Sequence, residues 1–205
     1  MQTQVLVVIF SLHTARLQVL LSQGNDGLWR LPGAALDGRM GLEETALRSL
    51  QACSGQRHAY LEQLYTYDTP QTLSVSYFAL LSADAALQTA PIPPAAWQAL
   101  DDLPALAGGQ DEIIQYALRR LRYKLEYSAV GFELLPEAFS LSELQRTYEL
   151  ILGETLDKRN FRRRILEAGI IEPTPHQRTG EGRPARLFRY RPDAIAEVKA
   201  RRLFP

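Results

Sequence analysis

The chain of 205 residues is 46% hydrophobic and 22% charged, with nine Tyr and seven Phe, enough apolar material for one or two globular cores, which excludes an intrinsically disordered protein. Cys53 is the single cysteine, which excludes an internal disulfide and a cysteine-rich zinc site. The formal net charge of zero is unevenly spread: residues 1–109 hold five Arg, no Lys and nine acids, whereas residues 157–205 hold thirteen Lys and Arg against six acids, a density that suits a polyanion or, more blandly, a solvated face.

Residues 5–10 open the chain as an apolar run too short to span a bilayer, with no basic n-region or small-residue cleavage site beside it. A soluble, cytoplasmic protein without a membrane partner is expected. Residues 5–10 and 17–21 read as paired strands, and residues 73–81 as a further β-branched and aromatic strand. Between them, residues 42–54 have helical content and end at Gly55, a fitting glycine for a helix C-terminus. This is an α+β pattern. Thr89-Ala90-Pro91-Ile92-Pro93-Pro94 and Gly108-Gly109 are loop signals around a short segment containing Trp97, so the boundary between two domains falls near residue 110, giving 1–109 and 110–205.

Residues 111–126 carry Ile114, Ala117, Leu118, Leu121 and Leu125 at helical spacing, interleaved with Arg119, Arg120, Arg122 and Lys124. Ser140-Leu141-Ser142-Glu143 fits a capping box, and the helix it opens places Leu144, Tyr148 and Ile151 on one face before Gly153 stops it. Asp157 can cap a third helix in which Phe161, Ile165 and Ala168 point one way and Arg159, Arg162 and Arg163 another, ending at Gly169. Residues 170–172 and 186–190 are short strand candidates around a loop, 173–184, rich in Gly, Arg and Pro. Three helices and then a β-ribbon is the order of a winged helix-turn-helix. No internal repeat or low-complexity tract is present.

Trp29-Arg30-Leu31-Pro32-Gly33, followed by an amphipathic helix with Arg48 and closed by Gly55, resembles the Nudix box, G-x5-E-x7-R-E-U-x-E-E-x-G-U, where U is aliphatic. With Arg48 on the box arginine, Leu50 takes the aliphatic position and Gly55 the late glycine, while Ala34, Met40, Ser49, Ala52 and Cys53 stand on the first glycine and the four glutamates. Every box glutamate is replaced. Diphosphate hydrolysis of this type needs Mg²⁺ held by clustered carboxylates, because hard cations take oxygen ligands and the pyrophosphate charge must be neutralised. Glu43 and Glu44 lie about two turns N-terminal to those positions and read as favourable carboxylates in a helix first turn, with displaced metal ligands as the alternative. Arg48 can pair with a ligand phosphate or form a structural salt bridge. Cys53 reads as a small core residue.

The second half is more specific. The runs Gly131-Phe132-Glu133-Leu134-Leu135-Pro136, Tyr148-Glu149-Leu150-Ile151-Leu152-Gly153, Leu156-Asp157-Lys158-Arg159-Asn160-Phe161-Arg162-Arg163-Arg164-Ile165 and Gly182-Arg183-Pro184-Ala185 resemble the C-terminal domain of the Nudix-related transcriptional regulators of NrtR type. The resemblance runs closely from about 112 to 191 and weakly through 1–109. It implies a Nudix-like α/β/α sandwich with a mixed sheet, acting as a non-catalytic sensor of an effector such as ADP-ribose, with Arg30 and Arg48 as ligand-binding candidates. A winged helix-turn-helix joined through helix 111–126 would follow, binding a palindromic operator as a homodimer. No cofactor and no metal are implied. Gly109-Gln110 replaces an Asp-His pair usual in relatives, and a Nudix-type pyrophosphohydrolase or a sugar-responsive regulator of the same architecture stands as the alternative.

The residues support the DNA reading without the family. Arg159, Arg162 and Arg163 share a helical face and suit both phosphates and the O6/N7 edge of guanine, Arg162 being the first choice for a base edge, with Lys158 and Arg164 flanking them. Asn160 suits adenine, or simply the backbone at a helix start. Arg178 and Arg183, in the Gly-rich loop, suit phosphates or a minor groove.

Overall fold

In the computed structural model, which describes residues 2–13, 15–178 and 184–194, the chain forms two compact units, Met1–Arg119 and Arg120–Pro205. The first unit runs β1 (Gln2–His13), β2 (Arg16–Gln23), β3 (Trp29–Arg30), β4 (Gly33–Ala35), α1 (Leu42–Ser54), β5 (Tyr60–Asp68), β6 (Thr72–Leu81), α2 (Ala83–Gln88), β7 (Ala95–Ala99) and the first part of α3 (Gln110–Leu125). Its seven-stranded sheet has the order β3-β2-β1-β6-β5, with β4 added on β1 and β7 on β2. The sheet is mixed: β1 runs parallel to β6, with Val5 opposite Val75, and antiparallel to β2, with Ile9 opposite Leu20.

The unbroken apolar run of β1 follows from its central place. Residues 5–11 are all buried, as expected for a strand covered on both faces. Val5, Val7 and Ile9 join Val75, Tyr77, Ala79 and Leu81 in one cluster with Ala46 and Leu50 of α1. The alternate side chains face the other side of the sheet, where Tyr65 of β5, opposite Ser76, meets Tyr116 of α3 at a ring-centroid distance of 4.6 Å. Helices thus lie on both faces of a mixed sheet, the architecture the Nudix resemblance implied.

Several strands escaped the pattern. β3 and β4 are too short to show a period, and in β5 a register shift between Gln63 and Tyr65 resets the in-and-out alternation. The segment containing Trp97 proves to be β7, paired with β2.

The second unit contains the rest of α3, a 3₁₀ turn over Val130–Leu134, β8 (Phe139–Ser140), α4 (Leu141–Leu152), α5 (Lys158–Glu167), β9 (Ile171–Arg178) and β10 (Ala185–Tyr190). The division between units falls inside α3, C-terminal to the boundary expected at 109/110, because the first half of that helix buries Ile113, Ile114, Ala117 and Leu118 and belongs to the first unit. Ser140 and Glu143 form the expected capping box, and Gly153 ends α4 in a left-handed conformation at φ 78°. Gly131 is required by packing: a Cβ there would stand 2.8 Å from Leu125 Cδ2 and 3.0 Å from Tyr148 Cε2.

The three-stranded sheet has the order β8-β10-β9. β9 is longer than the strand expected at 170–172 and takes in Pro173 and Pro175, so Arg178 ends a strand where the pattern suggested a loop. As an edge strand with one partner, β9 tolerates prolines that a central strand would reject. Arg183 lies outside the described residues.

Candidate nucleic-acid interface

α5 is short and strongly basic, and its position depends on few side chains. The Asp157 carboxylate accepts the Asn160 N–H at 2.8 Å, which satisfies one of the free donors of the first turn. Its buried residues are Phe161 and Ile165. Phe161 meets Tyr148 of α4 edge-on, with ring centroids 5.6 Å apart. With one face of the helix seated in this way, Lys158, Arg159, Asn160 and Arg163 stand exposed, whereas Arg162 and Arg164 are half-buried. Arg163 reaches Glu167 one turn on at 3.4 Å, an exposed pair that yields readily to a stronger anion.

Arg162 is placed differently from its neighbours. Its Nη2 donates to Ser142 Oγ at 3.1 Å, and its Nε is buried without an acceptor among the described residues. Arg178, at the end of β9, donates to the Glu143 carboxylate and to the Ala138 carbonyl. That carboxylate also accepts the Ser140 N–H at 2.7 Å through Oε2. Two arginines from different elements therefore meet the first turn of α4. At the other end of α4, Arg122 of α3 donates through Nε to the Ile151 carbonyl at 2.7 Å, one of the carbonyls left free by the helix end. Sequence reading passed over Ser142 and Arg122 as partners. The capping box at Ser140 marked the turn where Ser142 sits, but no local spacing marks Arg122.

In the first unit, three of the Nudix-like positions carry Ser49, Ala52 and Cys53 in place of glutamates. Ser49 is buried and donates to the Thr45 carbonyl at 2.9 Å. Ala52 is exposed, and Cys53 is half-buried, its thiol pKa raised by burial. Among the described residues no group of three or more His, Cys, Asp or Glu is arranged to hold a metal ion. Arg48 is exposed and pairs with Glu44 on its own helix at 3.3 Å. Arg30 pairs across the tight turn before β3 with Asp26, Nη1 to Oδ1 at 2.8 Å, and this guanidinium, with the Leu28 N–H, lowers the Asp26 carboxyl to about 2. The two ligand-binding candidates thus each hold an exposed carboxylate on their own local segment. Gln110 accepts the Leu31 N–H at 2.6 Å and ties the start of α3 to the Leu31-Pro32-Gly33 segment.

Residues 131–190 match the NrtR DNA-binding winged helix domain. Over 199 residues the chain is 34% identical to the ADPR responsive transcriptional repressor NtrR of Acinetobacter baylyi, covering 90% of this chain and 80% of that protein. The chain belongs to the NrtR family. Like other members of that family it joins a Nudix fold to a winged helix. Its structure resembles Shewanella oneidensis NrtR complexed with a 27mer DNA, with a TM-score of 0.83 and 34% identity over 95% of each chain. The same protein without DNA aligns with a TM-score of 0.83 and 35% identity over 95% of this chain and 96% of that one. A MutT/nudix family protein from Enterococcus faecalis shares the fold, with a TM-score of 0.70 at 20% identity over 93% of this chain and 88% of that one. No helix among the described residues is long and apolar enough to cross a membrane.

Proposed function

We propose that this NrtR-family chain is a DNA-binding transcriptional repressor whose Nudix-like unit senses ADP-ribose or a related nucleotide and has no hydrolase activity. The observation that carries the reading is the exposed cationic face of α5, seated by Phe161 and Ile165 within a segment that matches a DNA-binding winged helix. Arg159, Asn160 and Arg163 read base edges, while Lys158, Arg164 and Arg183 neutralise backbone phosphates. Arg178 contributes charge from the end of β9.

One winged helix covers too short a half-site for specificity by itself, so two copies related by a two-fold axis bind a palindromic operator. The protein works in the cytoplasm, where the chromosome of its bacterial relatives lies. The effector assignment is supported by the 34% identity to a repressor named for its response to ADPR. Arg30 and Arg48 serve the effector's phosphates by exchanging their exposed carboxylate partners, Asp26 and Glu44. Hydrolysis is left without means, because Met40, Ser49, Ala52 and Cys53 supply no carboxylate at the positions where the Nudix box holds Mg²⁺.

The test starts from a pool of randomised duplex DNA. The protein is expected to enrich a palindromic duplex, to bind it as a dimer by light scattering, and to change its affinity when ADP-ribose is added. Failure to enrich any duplex overturns the repressor reading. Mg²⁺-dependent release of AMP from ADP-ribose by clean protein overturns the non-catalytic one. A response to pentoses with none to ADP-ribose replaces the effector.

A further inference from the structure

We propose that Ser142 and Arg162 together form a seat for a backbone phosphate between α4 and α5, so that Arg162 anchors DNA irrespective of sequence and leaves base reading to the exposed side chains of α5. The proposal rests on the DNA-binding reading of this unit and deepens it.

The geometry of the pair carries the inference. Ser142 is exposed, and its Oγ accepts from Arg162 Nη2 at 3.1 Å. A hydroxyl that accepts from a guanidinium, which has no acceptor of its own, keeps its O–H to donate elsewhere. No acceptor for that hydrogen is present among the described residues. The guanidinium in turn has no carboxylate in salt-bridge reach among the described residues, while Arg159 and Arg163 on the same helix stand exposed. Its Nε is buried, so the side chain lies along the junction of α4 and α5 and does not project from it. To reach a base edge, Arg162 would have to leave Ser142 and swing outward.

The surrounding charges favour an anion at this point. The carboxylate next to Ser142, Glu143, is already used twice, accepting the Ser140 N–H through Oε2 and the Arg178 guanidinium through Oε1. Glu143 thus offsets Arg178 and leaves the charge of Arg162 uncompensated. An O–H and guanidinium N–H donors held 3.1 Å apart match an oxygen-rich monoanion with several acceptor directions, which is the chemistry of a phosphodiester. Bound there, the phosphate would fix α4 and α5 against the backbone together and so set the depth at which Arg159, Asn160 and Arg163 meet the groove.

The experiment uses the full-length protein, the duplex it selects and a scrambled duplex of equal length, with affinities measured across a range of salt concentrations. Arg162→Gln is expected to weaken both duplexes by the same factor, about tenfold, and to lower the slope of log K against log salt by about one unit. Ser142→Ala, a surface change that removes no charge, is expected to weaken both duplexes about three- to tenfold with the slope unchanged. Adding Ser142→Ala to Arg162→Gln should produce little further loss, because the two groups act on one phosphate. If Arg162→Gln weakens the selected duplex alone, Arg162 reads a base and the proposal is overturned. Unchanged affinity of Ser142→Ala for both duplexes overturns it as well, whatever Arg162→Gln does to folding. Wild-type protein that binds neither duplex overturns the DNA-binding reading itself, and the seat with it.

Discussion

Replacing Phe161 by alanine should disable DNA binding without removing a charge. Phe161 is 2% exposed, packs edge-on against the fully buried Tyr148, and shares with Ile165 the task of holding α5 in place. A Phe→Ala change in such a site costs about 3–5 kcal/mol through lost transfer free energy and the cavity left behind. A unit of this size has a total stability of about 4–13 kcal/mol, so the variant's winged helix should be partly unfolded under conditions where the wild type is intact.

The two tryptophans, Trp29 and Trp97, both lie in the Met1–Arg119 unit, which gives separate probes. In a urea titration of Phe161→Ala the part of the far-UV circular dichroism change contributed by the second unit should move to lower urea by roughly 2 M, given a slope of about 1–3 kcal/mol/M, while the remaining dichroism change and the tryptophan fluorescence transition stay in place. Affinity for the selected duplex should fall with the folded fraction, and the salt slope of the remaining binding should match wild type, since every cation is still present. A loss below about 1 kcal/mol, or a tryptophan transition that shifts as far as the dichroism, would refute the reasoning that α5 is seated locally by this side chain.

Arg159→Ala should cost about 1–3 kcal/mol on the selected duplex and narrow its margin over scrambled DNA, while Arg16→Ala and Arg57→Ala in the acidic half leave affinity unchanged; equal losses in those controls would place the DNA elsewhere. The Asp26 carboxyl should titrate at about 2 by NMR, and Arg30→Ala should return it toward 3.8. Because the folded pKa is depressed, this pairing is present above the ordinary carboxylate range and is lost as pH falls through about 2. Cys53 should react with a disulfide reagent more slowly at mildly alkaline pH than a small free thiol does, because burial raises its pKa and lowers the thiolate fraction; a faster reaction would contradict its packed environment.

The parts of the fold legible in the sequence are those with local causes. Asp157, three residues from the N–H it accepts, Ser140 with Glu143, and Gly55 and Gly153 at helix ends can be read from short windows because each satisfies backbone groups within one turn. β1 was legible because a strand covered on both faces must be apolar at every position. β5 was not, since its bulge breaks the alternation, and β9 was cut short by prolines that only an edge position permits.

The candidate site divides along the same line. Its inventory of cations on α5 is plain from residues 158–164, and so is the loss of all four box glutamates. Their partners are not. Arg162 meets Ser142 across 20 residues, and Arg178 meets Glu143 across 35. A long guanidinium side chain has many acceptors within reach, and which one it takes depends on how the helices and the ribbon pack. The sequence by itself determined the family, through motifs that resemble those of known regulators, and the helix ends and the charges available to bind DNA, because these follow from composition and contacts within a turn. Only the tertiary structure decided which arginines stand free and which are held, because that depends on contacts between elements far apart in the chain.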